Sequence, residues 1–113
     1  MAYPGSQNEF GQLGCVFLKD GANVTPPTGR AFVAITFLED TTVDSSGGLI
    51  AENSDIFFSS DAAAHSESTA TGKEGTGGKQ VDVNDTFPKG VTIYGRWTEI
   101  DLTSGSAIAY IGA

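Results

Sequence analysis

The fold is decided by residues 91–111, which run Val91-Thr-Ile-Tyr-Gly-Arg-Trp-Thr-Glu-Ile100, Asp101-Leu-Thr-Ser-Gly105 and Ser106-Ala-Ile-Ala-Tyr-Ile111. The first and third stretches alternate in character along the chain, as strands do, and the loop between them is short and ends in glycine. Two alternating runs joined by such a loop are typical of a β-hairpin. The sequence therefore predicts a C-terminal hairpin from Val91 to Ile111.

The strongest strand outside this region spans residues 30–38, Arg30-Ala-Phe-Val-Ala-Ile-Thr-Phe-Leu38. Both of its alternating sets of side chains are apolar, which indicates a central strand that is covered on both faces. Its β-branched and aromatic residues favour a strand over a short helix. Shorter strands are predicted at residues 15–19, 49–51, 55–59 and 80–83. Because no helical period is sustained, the expected fold is all-β, a small antiparallel β-sandwich or barrel with the C-terminal hairpin.

The length of 113 residues fits a single domain. Residues 14–113 are expected to form that β domain. Residues 1–13 are expected to be an extended N-terminal arm, in which Tyr3 and Phe10 are isolated apolar points that could contact a partner. Residues 60–80 contain no Val, Ile, Leu, Phe, Tyr or Trp and cannot offset the entropy of ordering them. They are therefore predicted to be a long mobile loop.

The chain is strongly acidic, with 14 Asp and Glu against 6 Lys and Arg and a net charge of −8. Such a surface repels phosphate backbones and anionic membranes, so neither nucleic acid nor a membrane is an expected partner. No apolar run approaches the length of a membrane span. The large apolar residues are few for a domain of this size, so oligomerisation or docking on a partner is expected to supply part of the stability.

A single cysteine, Cys15, cannot form an intrachain disulfide. We interpret it as a buried, inert thiol that packs as a small apolar side chain. The residues after Met1 do not form a basic and apolar leader, so synthesis and folding in a cytoplasm are expected.

The residue types that carry catalysis do not form a recognisable constellation. The run from Gly72 to Lys79 could be taken for a phosphate-binding loop, but Lys73 and Gln80 stand where that motif needs glycine and Ser or Thr. His65, the only histidine, lies in the predicted loop and is expected to be solvated. The sequence therefore predicts a protein that is not an enzyme and uses no cofactor.

Two acidic stretches, residues 39–44 and 82–85, carry oxygen ligands of the kind that Ca²⁺ uses. Neither stretch has the spacing of an EF-hand loop with its distal Glu. Turn formation explains Asn and Asp at these places equally well. No metal site is predicted, and a structural calcium stays open as an alternative.

Alternation along the first hairpin strand puts Ile93, Gly95 and Trp97 on one face. We expect this face to point into the core. Gly95 would then leave room for the Trp97 indole to pack.

The opposite face of that strand carries Tyr94, Arg96 and Ile100, and it has two interpretations. It is either the solvated face of the sheet or a docking face, since Tyr and Arg are common anchors of protein interfaces. Tyr110 on the return strand is a further candidate for such a face. An aromatic platform for a sugar would use the same residue types.

The C-terminal region also carries a resemblance to a known class of proteins. Residues 87–100, Phe87-Pro-Lys-Gly-Val-Thr-Ile-Tyr-Gly-Arg-Trp-Thr-Glu-Ile100, and the closing Ala107-Ile-Ala-Tyr-Ile-Gly112 are similar to the C-terminal end of small structural proteins of marine tailed bacteriophages. The features that carry the resemblance are a Pro-x-Gly turn, a Tyr-Gly-Arg-Trp strand and a closing strand that ends at Ile-Gly. The rest of the chain agrees only in length and in its richness in Gly and Thr.

The resemblance implies a virion structural protein, a capsid decoration, cement or knob protein on the outer surface of the phage head. It implies the major capsid protein, copies of this chain, or both as partners, and a homo-oligomer on the particle. The candidate interface residues are Tyr3, Phe10, Tyr94, Arg96 and Tyr110. The alternative is a carbohydrate- or receptor-binding module of a tail appendage, in which an exposed Trp97 or Tyr94 would stack on a sugar.

Overall fold

The structure, a computed structural model, describes residues 13–19, 23–44, 48–54, 56–60 and 77–113. These residues form β-strands and no helix. In chain order the strands are β1 (Cys15–Lys19), β2 (Ala31–Phe37), β3 (Thr42–Val43), β4 (Leu49–Ala51), β5 (Thr92–Ile100), β6 (Leu102–Ser104) and β7 (Ser106–Gly112). Every pairing between named strands is antiparallel, and the predicted all-β class is confirmed.

The strands form two sheets that share one core. The larger sheet is five-stranded and open, in the order β1-β7-β2-β5-β4, and β3 pairs with β6 in a second, two-stranded sheet. Val43 of β3 and Leu102 of β6 belong to the same buried cluster as Ile35 of β2. The arrangement is therefore sandwich-like. The apolar pattern of residues 30–38 correctly predicted that β2 lies inside the sheet, since β7 and β5 flank it.

The predicted C-terminal hairpin is wrong, although both of its strands exist. β5 and β7 do not pair with each other, because each pairs with β2, which lies between them. The connection from Asp101 to Gly105 contains β6, which crosses to the second sheet and pairs with β3. The chain therefore returns on the far side of β2. Because β2 is apolar on both faces, it is most stable between two neighbouring strands. This preference outweighs the tendency of the short connection to pair β5 directly with β7.

A bulge in β5 shifts which of its side chains point inward. Ile50 of β4 pairs with Glu99 and Ala51 with Trp97, so two steps along β5 match one along β4. A separate shift between Phe32 and Ala34 lies in β2, since it occurs against both β5 and β7. Trp97 and Ile100 are both fully buried as a result of the bulge in β5. The strict alternation that placed Ile100 on the face of Tyr94 is therefore wrong at this residue, because a bulge adds one residue to the strand.

Trp97 is the largest side chain of the core, as predicted. Its indole N–H donates to the Phe58 carbonyl over 3.0 Å, and the two rings pack edge to face with centroids 5.5 Å apart. A Cβ on Gly95 would lie 2.7 Å from Trp97 Cη2. The prediction that glycine makes room for the indole is confirmed, and Ile93 packs against the same cluster.

The short predicted strands have mixed outcomes. Residues 15–19 and 49–51 form β1 and β4, as predicted. Of the predicted strand 55–59, Asp55 lies outside the described residues, and residues 56–59 do not form a strand, because the Asn53 carbonyl accepts the N–H groups of Ile56 and Phe57 and closes a turn. Residues 80–83 make only an isolated parallel bridge between Val81 and Ser60.

The Pro-x-Gly turn before β5 is present and spans Pro88 to Val91. The Val91 N–H donates to the Pro88 carbonyl over 3.3 Å, and Gly90 takes the third position with φ +90°. Glycine is favoured there because other residues resist a positive φ. Residues 1–12 of the predicted arm and 61–76 of the predicted loop lie outside the described residues.

Candidate docking face

The candidate site is the side of the five-stranded sheet that points away from the core, which we call the outer face. Residues directly opposite each other on antiparallel strands point to the same side, so the strand register defines rows of side chains across the sheet. One row of the outer face consists of Cys15, Tyr110, Ala34 and Tyr94. The next row consists of Phe17, Ile108, Thr36 and Thr92.

A hydrogen bond and the burial of intervening residues both support this assignment. The hydroxyl groups of Thr36 and Thr92 lie 2.8 Å apart and bond across β2 and β5. Ile35 of β2 and Ala109 of β7, which lie between the two rows in sequence, are fully buried in the core. The two sets of side chains therefore occupy opposite sides of the sheet.

The outer face carries large apolar and aromatic side chains that are open to solvent. Phe17 is 63% exposed and Tyr94 is 64% exposed, while Ile108 and Tyr110 are half-buried. Single exposed apolar residues are common on soluble proteins. Four of them in adjacent rows on one sheet face are instead typical of an interaction surface.

The centre of the outer face lies along β2, where the two rows contain the small residues Ala34 and Thr36. Tyr94 and Tyr110 flank Ala34 on β5 and β7, and Ala34 itself is only 1% exposed. Two strand spacings separate the backbones that carry the tyrosines, roughly 10 Å. Both tyrosines were predicted from the sequence as candidate interface residues. The structure brings them into one row by placing β2 between their strands, not by pairing the strands as a hairpin.

Arg96, the third candidate on this part of the chain, is engaged within the protein. Its Nε donates to Glu52 Oε1 over 2.7 Å and its Nη2 to Oε2 over 3.1 Å, so the contact is bidentate. Its Nη1 donates to the Ala113 carbonyl over 2.7 Å. The bonds from Arg96 lower the pKa of Glu52. Arg96 thus links the segment after β4 to the end of β7.

Two residues of the outer face were missed or misjudged from the sequence. Cys15 is exposed rather than buried, because it starts edge strand β1 on the outer side. Phe17 was not named as a candidate. Alternation of Cys15, Phe17 and Lys19 against Val16 and Leu18 was a signal, but both sets contain apolar residues, so the inward set could not be chosen.

The remaining candidates lie elsewhere. Tyr3, Phe10 and His65 lie outside the described residues. Trp97 is fully buried, so it cannot stack on a sugar at the surface. The carboxylates of Asp82 and Asp85 accept backbone N–H groups in a turn, at 2.8 and 3.0 Å.

Within the described parts of the chain, no three His, Cys, Asp or Glu side chains are grouped so that they could hold a metal ion. In the same residues no helix has the length and apolar character needed to cross a membrane. The chain matches no protein-family model, and no match was found among curated proteins or solved structures.

Proposed function

We propose that this chain is a non-enzymatic structural protein of a phage particle, a decoration or cement protein that docks on the head through its outer face. The observation that carries the proposal is the aromatic surface on one side of the sheet, on which Phe17 and Tyr94 are exposed and Tyr110 is half-buried. The similarity of residues 87–112 to small structural proteins of tailed phages supports the choice of partner.

The dimensions of this surface suit a protein partner. Phe17 on β1 and Tyr94 on β5 are three strand spacings apart, about 14 Å. That width exceeds one sugar ring and matches a cluster of interface anchors, for which aromatic side chains are the usual residues. A surface mounted on paired strands also loses little conformational freedom on binding, which favours affinity.

The charges define the partner further. The chain carries −8 net charge, so a strongly acidic partner surface would be repelled. At the two sides of the sheet, Lys19 pairs with Glu39 over 3.6 Å and Arg96 with Glu52 over 2.7 Å. The proposed partner surface is therefore apolar where it meets the tyrosines, and neutral or basic around that contact.

Labelling of intact particles tests the location. An antibody against the recombinant protein is applied to particles purified from cultures that express the gene, and gold labels are counted by electron microscopy. The proposal expects regular labelling over the heads. Labelling confined to tail tips, or no particle-associated signal, would contradict it.

The single cysteine offers a second test, of the face that docks. Cys15 is exposed in the same row as Tyr94, so its reaction with a maleimide reports access to the outer face. We expect protection of Cys15 on particles. A Cys15→Ser/Thr103→Cys variant is the control, because Thr103 is exposed on β6 in the other sheet and should stay reactive.

The exposed ring of Tyr94 also favours a second candidate, a carbohydrate-binding module. A glycan array separates the two functions. Sugar binding would give a glycan-dependent signal that Tyr94→Ala abolishes and Phe17→Ala preserves, because Phe17 is too distant to touch the same ring. A docking protein should give no glycan signal.

A further inference from the structure

Asp101 stands where the chain leaves the large sheet for the small one. It lies between β5 and β6, its N–H donates to the Gly48 carbonyl over 2.8 Å, and its own carbonyl accepts the Asp44 N–H over 3.0 Å. The backbone of Asp101 thus holds Asp44, which follows β3, and Gly48, which precedes β4, against the corner of the two sheets.

One side-chain oxygen of Asp101 is buried without a hydrogen-bond partner. The residue is 5% exposed, and its Oδ1 accepts no hydrogen bond. A buried carboxylate normally receives several hydrogen bonds or a cationic neighbour, because removing a charge from water is costly. At Asp101 an oxygen lacks this compensation.

The charges around Asp101 make its ionised form less favourable still. The charged groups that act on it are Glu99, two residues earlier on β5, and Asp44, from the segment that follows β3, and both are acidic. No lysine or arginine of the described residues acts on it. Burial, followed by these two carboxylates, raises the pKa of Asp101.

We propose that Asp101 is a proton-binding site that makes the corner between the two sheets more stable in mild acid than at neutral pH. Proton uptake removes the buried charge and ends the repulsion with Asp44 and Glu99. The protonated carboxyl also gains an O–H donor, while the backbone bonds to Gly48 and Asp44 are kept.

The direction of this pH dependence follows from the linkage between proton binding and folding. Because the folded-state pKa of Asp101 is raised, the folded protein binds the proton more tightly than the unfolded chain. The contribution of Asp101 to stability is complete below the unfolded-state pKa and is lost as the pH rises through the folded-state pKa. Glu39 and Glu52 have lowered pKa values and act in the opposite direction, so the effect must be read against a matched variant.

The test compares melting temperatures of wild type, Asp101→Asn and Asp40→Asn across acidic and neutral pH, without added metal. Asp101→Asn removes the charge at constant shape. It should melt a few degrees above wild type at neutral pH, and the difference should vanish in acid. Asp40→Asn is the control: it is exposed, and an Asn oxygen can still accept from the Lys89 N–H. It should show no such pH-dependent gain.

Two further measurements keep the test decisive if Asp101→Asn folds poorly. Carboxyl NMR of the wild type should show Asp101 titrating above the ~3.9 of an unperturbed aspartate. Glu99→Gln should lower that midpoint by removing one repelling charge. Titration of Asp101 at or below the ordinary range, or an unchanged midpoint in Glu99→Gln, would overturn the proposal. So would a rise in the neutral-pH melting temperature on adding calcium that Asp101→Asn abolishes, because the corner would then bind a metal ion rather than a proton.

Discussion

The Trp97 indole lies against the backbone of Gly95 on the same strand, with Cη2 and Cζ2 only 2.7 and 2.9 Å from where a Cβ of residue 95 would be. Side chains two residues apart on a strand point to the same side, so a side chain at 95 would compete directly with the ring. The space that Gly95 leaves allows Trp97 to fold over its own strand and reach the Phe58 carbonyl.

Gly95→Ala should therefore destabilise the protein by overpacking, by about 1–3 kcal/mol in the free energy of unfolding. Urea unfolding measures it. The control is the double-mutant cycle with Trp97→Phe, whose smaller ring does not reach the new methyl group. The cost of Gly95→Ala should shrink in the Trp97→Phe background, and strict additivity would show that the indole is not the group it meets.

Gly105, between β6 and β7, should tolerate alanine less well than Gly29 does. Both have positive φ, +96° and +82°, so alanine strains the backbone at either site by about 1–3 kcal/mol. At Gly105 the new Cβ would also contact the Thr41 side chain and lie 2.7 Å from the Asp40 carbonyl oxygen, whereas nothing lies within 4 Å at Gly29. Equal losses of unfolding free energy would contradict the crowding at this connection.

The ion pair of Arg96 with Glu52 should matter little for stability at neutral pH. Its side chains are 30% and 42% exposed, and pairs of this kind contribute about 0–1 kcal/mol. Because the pKa of Glu52 is lowered, its contribution is present above the unfolded-state pKa and is lost as the pH falls through the folded-state pKa. Arg96→Met should remove this pH dependence of the stability. It should also remove the dependence of the pair's contribution on salt concentration. If Arg96→Met instead lost several kcal/mol of unfolding free energy, the ion pair would behave as a buried one, which would contradict this expectation.

Much of the fold could be predicted because periodicity of apolar side chains is a local signal. Residues 15–19, 31–37, 49–51 and 92–100 form strands as their patterns indicated. The pairing could not be predicted in the same way. Alternation shows that a strand has two faces, but it does not say which strand lies next to it, and a short loop favoured a hairpin that β2 in fact separates.

The candidate site was predicted in part for the same reason. Tyr94 and Tyr110 were named from residue type and alternation, and the register places them in one row. Phe17 was missed, because both alternating sets of β1 contain apolar residues. Ile100 was placed on the wrong face, because the bulge in β5 leaves no mark in the sequence that separates it from regular alternation.

The central claim, that the outer face docks on phage heads, is tested most directly by cosedimentation with purified heads. Wild type is compared with Phe17→Ser/Tyr94→Ser and with Ile56→Ser. Ile56 is 44% exposed but lies in the turn after β4, outside the rows of the outer face, so it is the matched control. All three proteins should stay folded, since each substituted side chain is exposed and surface changes cost little.

We predict that wild type and Ile56→Ser cosediment in equal amounts, and that Phe17→Ser/Tyr94→Ser stays in the supernatant while keeping its melting temperature. Equal cosedimentation of the folded double variant and wild type would contradict docking through the outer face.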